Sequence, residues 1–137
     1  MFASVFSWEH IHPVLVHFST ALLPVSLSSD FIGKYWRYRS LTSAGWWMLL
    51  YGALATPLTA IAGWLWATNI GSMPGSTLSL HKWLGVLLTI CFAAMAVWRG
   101  RIFLMERKPG SLYLACAALA VAAIFYQGYL GGKMTIG

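Results

Sequence analysis

Three of the four histidines in this 137-residue chain, His10, His12 and His17, crowd into the stretch HIHPVLVHF, and the fourth, His81, stands in LHKWLG. Imidazole at neutral pH transfers protons, bridges hydrogen-bonding groups or gives a lone pair to a metal. Little else in the chain competes for such chemistry. The two cysteines, Cys91 and Cys116, belong to no Cys-x-x-Cys-His motif, so a covalently attached haem is excluded. Both fall in apolar segments, where buried thiols are expected in place of a disulfide or an iron–sulfur site.

The elements that position these histidines follow from composition. With 59% apolar and 9% charged residues, the chain is not a water-soluble domain. A membrane span needs about 20 mostly apolar residues, and four stretches qualify: 13–33, 42–66, 81–100 and 112–132. The expected fold is an all-α integral membrane four-helix up-down bundle, a single domain over 1–137. The first span lacks a basic leader and a small-residue cleavage site, so it reads as a retained helix. Pro13 suits its first turn, with His12 near the cap. Pro24 and Pro57 fall inside spans one and two, where each removes a backbone donor. The segment NIGSMPGSTLSL is a loop whose Thr77 or Ser79 is expected to cap the third helix.

Orientation follows the basic residues of the short loops. Lys34, Arg37 and Arg39 lie between spans one and two, and Arg99, Arg101, Arg107 and Lys108 between spans three and four; Lys82 and Lys133 stand on the other side. Both termini are therefore expected outside, in the periplasm of a bacterial inner membrane. The net charge of +6 is this topological bias, with anionic lipid as its partner and no nucleic-acid footprint. Of the three carboxylates, Glu9, Asp30 and Glu106, the last two fall on the side away from every histidine, which argues against a hydrolase. Asp30 is expected to pair with Lys34 one turn on. The spans offer no polar track for transport.

This topology brings all four histidines to one side of the membrane. Span one and span three run parallel and stand diagonally across the bundle, roughly 11–14 Å apart if neighbours are about 8–10 Å apart. His17 lies about 6 Å into its helix from Pro13, and His81 lies at a similar depth. The pair reads as axial ligands of a non-covalent, b-type haem; a bare zinc ion fits less well, because its ligands must converge on one point. His12, about 140° around the helix from His17, reads as a cap, a supporting partner or a haem propionate contact. His10 is the weaker metal candidate and reads as solvated. Tyr126 and Gln127, with Tyr129, sit near the outer end of span four, where they contact a haem edge or a quinone, or anchor the helix at the interface. Gly128 with Gly132, and Ala115 with Ala118 and Ala122, mark close approach of helices. Tryptophans 8, 36, 64, 66 and 83 form interfacial belts.

The motif HPVLVHFSTALL, followed in order by AGWLW, LHKWLG and YQGYLGGKM, resembles the bacterial membrane proteins grouped as domain of unknown function 2231. The likeness covers nearly the whole chain, with Ser19 standing where that family has proline. It implies a four-helix membrane module, alone or fused to periplasmic dehydrogenase or cytochrome-like parts, that binds b-type haem. It also implies that His12 and His17 belong to the first motif and His81 to the third helix. The expected function is a b-type cytochrome subunit passing electrons between the quinone pool or a membrane partner and a periplasmic cytochrome or dehydrogenase. The alternative is an accessory subunit of a larger complex or a homo-oligomer, without its own cofactor; metal handling is a third reading.

Overall fold

The computed structural model describes residues 8–69 and 76–136, the side chains of Trp8, Glu9, Asn69, Ser76, Thr135 and Ile136 excepted. Four helices follow one another: α1 (Trp8–Tyr35), α2 (Arg39–Asn69), α3 (Ser76–Leu104) and α4 (Ser111–Ile136). Each holds a window apolar enough to cross a bilayer. All four expected spans lie inside these helices, which overrun them at both ends. At 26–31 residues the helices are about 39–46 Å long, so their ends pass beyond a hydrocarbon layer of about 30 Å. Hydropathy registers only the part in hydrocarbon.

Two cap assignments change as a result. α1 already includes Trp8, so His12 is helical and does not cap the helix. α3 includes Ser76, which puts Thr77 and Ser79 within its first turn; residues 70–75 of the preceding loop lie outside the described residues. The far end of α3 is closed by paired bonds, Arg107 N–H to Ile102 O and Glu106 N–H to Phe103 O, both 3.0 Å. Glu106, at φ 53°, occupies the left-handed position that ends such a helix. Within α2, Pro57 leaves the Ala53 carbonyl without its backbone donor, and Thr56 Oγ1 donates to that carbonyl at 2.8 Å. A side chain thus satisfies the acceptor that proline leaves open in hydrocarbon.

Each helix packs on the next and α4 returns to α1, which leaves α1 and α3 diagonally opposed. The most intimate contact is between α1 and α2, and small residues on both helices explain it. A Cβ on Gly33 would meet Thr42, one on Gly45 would meet Asp30, one on Gly52 would meet Leu23, and one on Gly63 would meet the His12 ring. The two helices therefore keep one antiparallel register over roughly six turns. Van der Waals contact between close backbones, not hydrophobic exclusion, drives such association in lipid. The expected α4 contacts are different. Gly128 has nothing within 4 Å of a built Cβ, and Ala115, Ala118 and Ala122 are exposed. The α4 side chains that join the core are Tyr113, Leu114, Ala117, Ala120, Val121 and Ile124, packed with Leu88, Phe92 and Met95 of α3.

These contacts rank glycine substitutions. Gly45→Ala places a methyl group 2.5 Å from Asp30 Oδ1 and 3.1 Å from the Ser26 carbonyl oxygen, an overpacking expected to cost about 1–3 kcal/mol. Gly128→Ala meets open space and is expected to leave stability equal or higher, because alanine favours helix by about 1 kcal/mol. Thermal melting of both variants in one detergent checks the order.

Candidate functional site

The diagonal between α1 and α3 is bridged at both ends. At the end bearing the basic loops, Asp30 of α1 and Arg99 of α3 are 0% and 1% exposed. Arg99 donates from Nε to Oδ2 and from Nη2 to Oδ1, both at 2.8 Å, the bidentate geometry for which guanidinium is suited. Nη2 also donates to the Thr42 carbonyl of α2 at 2.6 Å. Gly45 makes room for the carboxylate. The expected Asp30–Lys34 pair is therefore replaced: a carboxylate inside a span faces the bundle and takes the partner that is also buried. Lys34 Nζ instead donates to Ser111 Oγ at 2.8 Å. Arg99, counted above among the loop cations, is a core residue.

At the opposite end the bridge is made by histidines. The His12 and His81 ring centres are 6.5 Å apart with planes at 80°. His12 Nδ1 donates to the Thr59 carbonyl of α2 at 3.0 Å, which leaves its lone pair on Nε2. Its ring lies against Gly63, where a Cβ would come within 2.7 Å of Cε1, and Trp66 is 5.8 Å away, ring centre to ring centre. His81 rests on α4 in the same manner. Its Cε1 is 3.3 Å from a Cβ built on Gly131, and Gln127, itself close to Gly85, donates from Nε2 to the His81 carbonyl at 2.8 Å. His81 Nδ1 and Gln127 Oε1 are buried and without a hydrogen-bond partner among the described residues. Lys82 covers the Trp64 ring at 3.9 Å nearby in sequence, and Trp64 meets Trp83 edge-on.

The geometry does not bring His17, the expected partner of His81, to the bundle interior. His17 is exposed, and its Nδ1 donates back to the Pro13 carbonyl of its own helix at 2.6 Å. Because His12 is helical and about 140° from His17, only one of the two can face inward. That one is His12. His10 is exposed. Gln127 belongs to the site, whereas Tyr126 is exposed and stacks on Tyr129. Cys91 and Cys116 are free thiols.

One sequence signal would have identified the inward histidine. His12 precedes Asp30 by 18 residues, and His81 precedes Arg99 by 18; at 100° per residue that is five whole turns. Each histidine therefore shares a helix face with one member of the buried ion pair, about 27 Å away along the axis. His12, Ser19, Ser26 and Gly33 also recur every seven residues, and Ser19 and Ser26 are buried while Gly33 packs on Thr42.

Chemically, two diagonal helices present one imidazole each, both backed by glycine. Two metal–imidazole bonds of about 2 Å, with rings roughly 2 Å across, put ring centres about 6 Å apart when both ligands reach one ion from opposite sides. The separation present here is of that size. Among the described residues no group of three or more His, Cys, Asp or Glu side chains converges. Two imidazoles alone do not fill a coordination shell, so an ion held between them would need further ligands that the described His, Cys, Asp and Glu side chains do not supply.

No curated protein and no solved structure matches the chain. A family profile described as a predicted membrane protein, DUF2231, matches residues 9–137. With four helices long and apolar enough to span a bilayer and a match over nearly its whole length, the chain belongs to the DUF2231 family of predicted membrane proteins.

Proposed function

We propose that this chain is a b-type cytochrome subunit in which His12 and His81 would hold one haem at the end of the bundle that carries the termini. The carrying observation is the 6.5 Å ring separation across the diagonal, with each ring backed by a neighbouring helix. A haem there supplies a one-electron iron couple. By the distribution of Lys and Arg, that end faces the periplasm of a bacterial inner membrane. A periplasmic cytochrome or dehydrogenase is then the exchange partner on that side, and the quinone pool or a second membrane protein the other.

The chain's own groups set the ligands in place. The Thr59 carbonyl fixes the His12 tautomer and leaves the lone pair on Nε2, beside Gly63 of α2; such an outer hydrogen bond is one that ligating histidines characteristically make. Gln127 ties the backbone at His81 to α4, and its free Oε1 is an acceptor within the same cluster as the unpartnered His81 Nδ1. Trp66 lies beside His12, with the ring planes tilted by 47°. Gly63 is required because any side chain would push the His12 ring out of its bond to Thr59. Gly63→Ala is expected to lower haem affinity about 10–100-fold, the usual cost of disturbing such a support, without unfolding the protein. Haem titration of the apoprotein, followed at the Soret band, checks it.

The reading is tested on protein purified in mild detergent from haem-sufficient cells, with spectra taken before and after dithionite. A sharp b-type reduced band and one extractable haem per chain are expected. Well-folded protein that neither retains nor takes up haem sinks the cytochrome reading and leaves the cofactor-free accessory subunit.

A further inference from the structure

The loosest seam of the bundle runs between α1 and α4, and at the basic end it opens into a groove of about 580 Å³. Leu27, Phe31 and Ile32 of α1 form one wall, and Leu114, Ala115 and Ala118 of α4 the other. The groove is wide because α4 offers only methyl groups at 115 and 118, where a Leu would close it. It runs from Leu27 to Tyr35, about 12 Å of helix. That is close to the depth of one leaflet, about 15 Å.

Its mouth is polar and cationic. Ser111, the first residue of α4, lines the groove there, and Lys34 donates to its hydroxyl at 2.8 Å. Lys34 also stands 5.3 Å from the centre of the Tyr35 ring. An ammonium has three donors, so two remain at the mouth after the Ser111 bond. Arg37 follows in the loop, and Arg39 opens α2. An apolar slot of one-leaflet depth, ending in a fixed cation, matches one chemistry.

We propose that the α1–α4 groove is a binding site for an anionic phospholipid, with one acyl chain between the two helices and the headgroup phosphate on Lys34 Nζ. This site lies at the opposite end of the bundle from the histidines and does not depend on the haem reading. It converts the diffuse attraction of basic loops for anionic lipid into a single occupied position.

Native mass spectrometry of the delipidated full chain, titrated with phosphatidylglycerol or phosphatidylcholine of identical acyl chains, tests the proposal. One phosphatidylglycerol is expected to bind with a preference of roughly fivefold or more over phosphatidylcholine, the size of one well-placed basic residue. Lys34→Glu is expected to abolish that preference, and Ala118→Trp, which fills the groove, to weaken retention of both lipids. Lys34 is at the surface, so its variant tests the site even where the Trp variant folds poorly. Equal affinity for the two lipids, an undiminished preference in Lys34→Glu, or displacement of phosphatidylglycerol by ubiquinone would overturn the proposal.

Discussion

Asp30→Ala is expected to destabilise the bundle by about 3–5 kcal/mol, because it strands the Arg99 guanidinium inside the bundle with the Thr42 carbonyl as its one remaining hydrogen-bond partner among the described residues. In a detergent melt this is a fall of roughly 10 °C or more. The double variant Asp30→Ala with Arg99→Leu is expected to recover most of the loss, since an apolar replacement of a buried pair is often neutral. Arg99→Lys is expected to fall between, because lysine cannot make the two parallel bonds that Arg99 makes to Asp30. Wild-type stability in Asp30→Ala would show that the pair does not hold α1 to α3. The effect is expected to reach the far end of the molecule: releasing Asp30 frees α1 to rotate, and His12 is on the face that Asp30 fixes.

Much of the fold was legible because lipid solvent makes few demands. Backbone groups must be satisfied within helices, so four apolar runs implied four helices, and short loops implied neighbours that alternate in direction. The diagonal relation of α1 and α3 followed as well. The rotation of each helix about its axis was not legible from hydropathy, because nearly every residue in these spans is apolar and no face stands out as the buried one. Which of His12 and His17 faces inward is a matter of rotation alone: a helix begun at Pro13 leaves His12 outside it, and a local Asp30–Lys34 pair leaves the rotation of α1 unset. Had Asp30 been required to face inward, the five-turn spacing to His12 would have set the rotation.

The same cause explains the small residues. Gly128 and Gly132 carry the familiar four-residue spacing, yet the tight α1–α2 contact uses Gly33, Gly45 and Gly52, and the imidazoles rest on Gly63 and Gly131. Spacing marks a glycine as able to accept a neighbour. Which neighbour arrives depends on the rotation of two helices, and the ion pair at the basic end sets that for α1 and α3 together.

The largest functional effect is expected from the two inward histidines. Removing either of the two residues that would hold the haem is expected to alter its spectrum and weaken its retention. His12→Ala and His81→Ala are each expected to lose the low-spin b-type spectrum and most of the bound haem. His17, turned outward and bonded to its own helix, supplies no ligand in this account, and its alanine variant is expected to bind haem as the parent does. His10→Ala is expected to match the parent too.

The decisive measurement is therefore the dithionite-reduced spectrum and haem content of His12→Ala, His17→Ala and His81→Ala, purified side by side and shown by circular dichroism to be equally helical. The account predicts a sharp reduced band in His17→Ala alone among the three. Loss of the band in His17→Ala with retention in His12→Ala would contradict it.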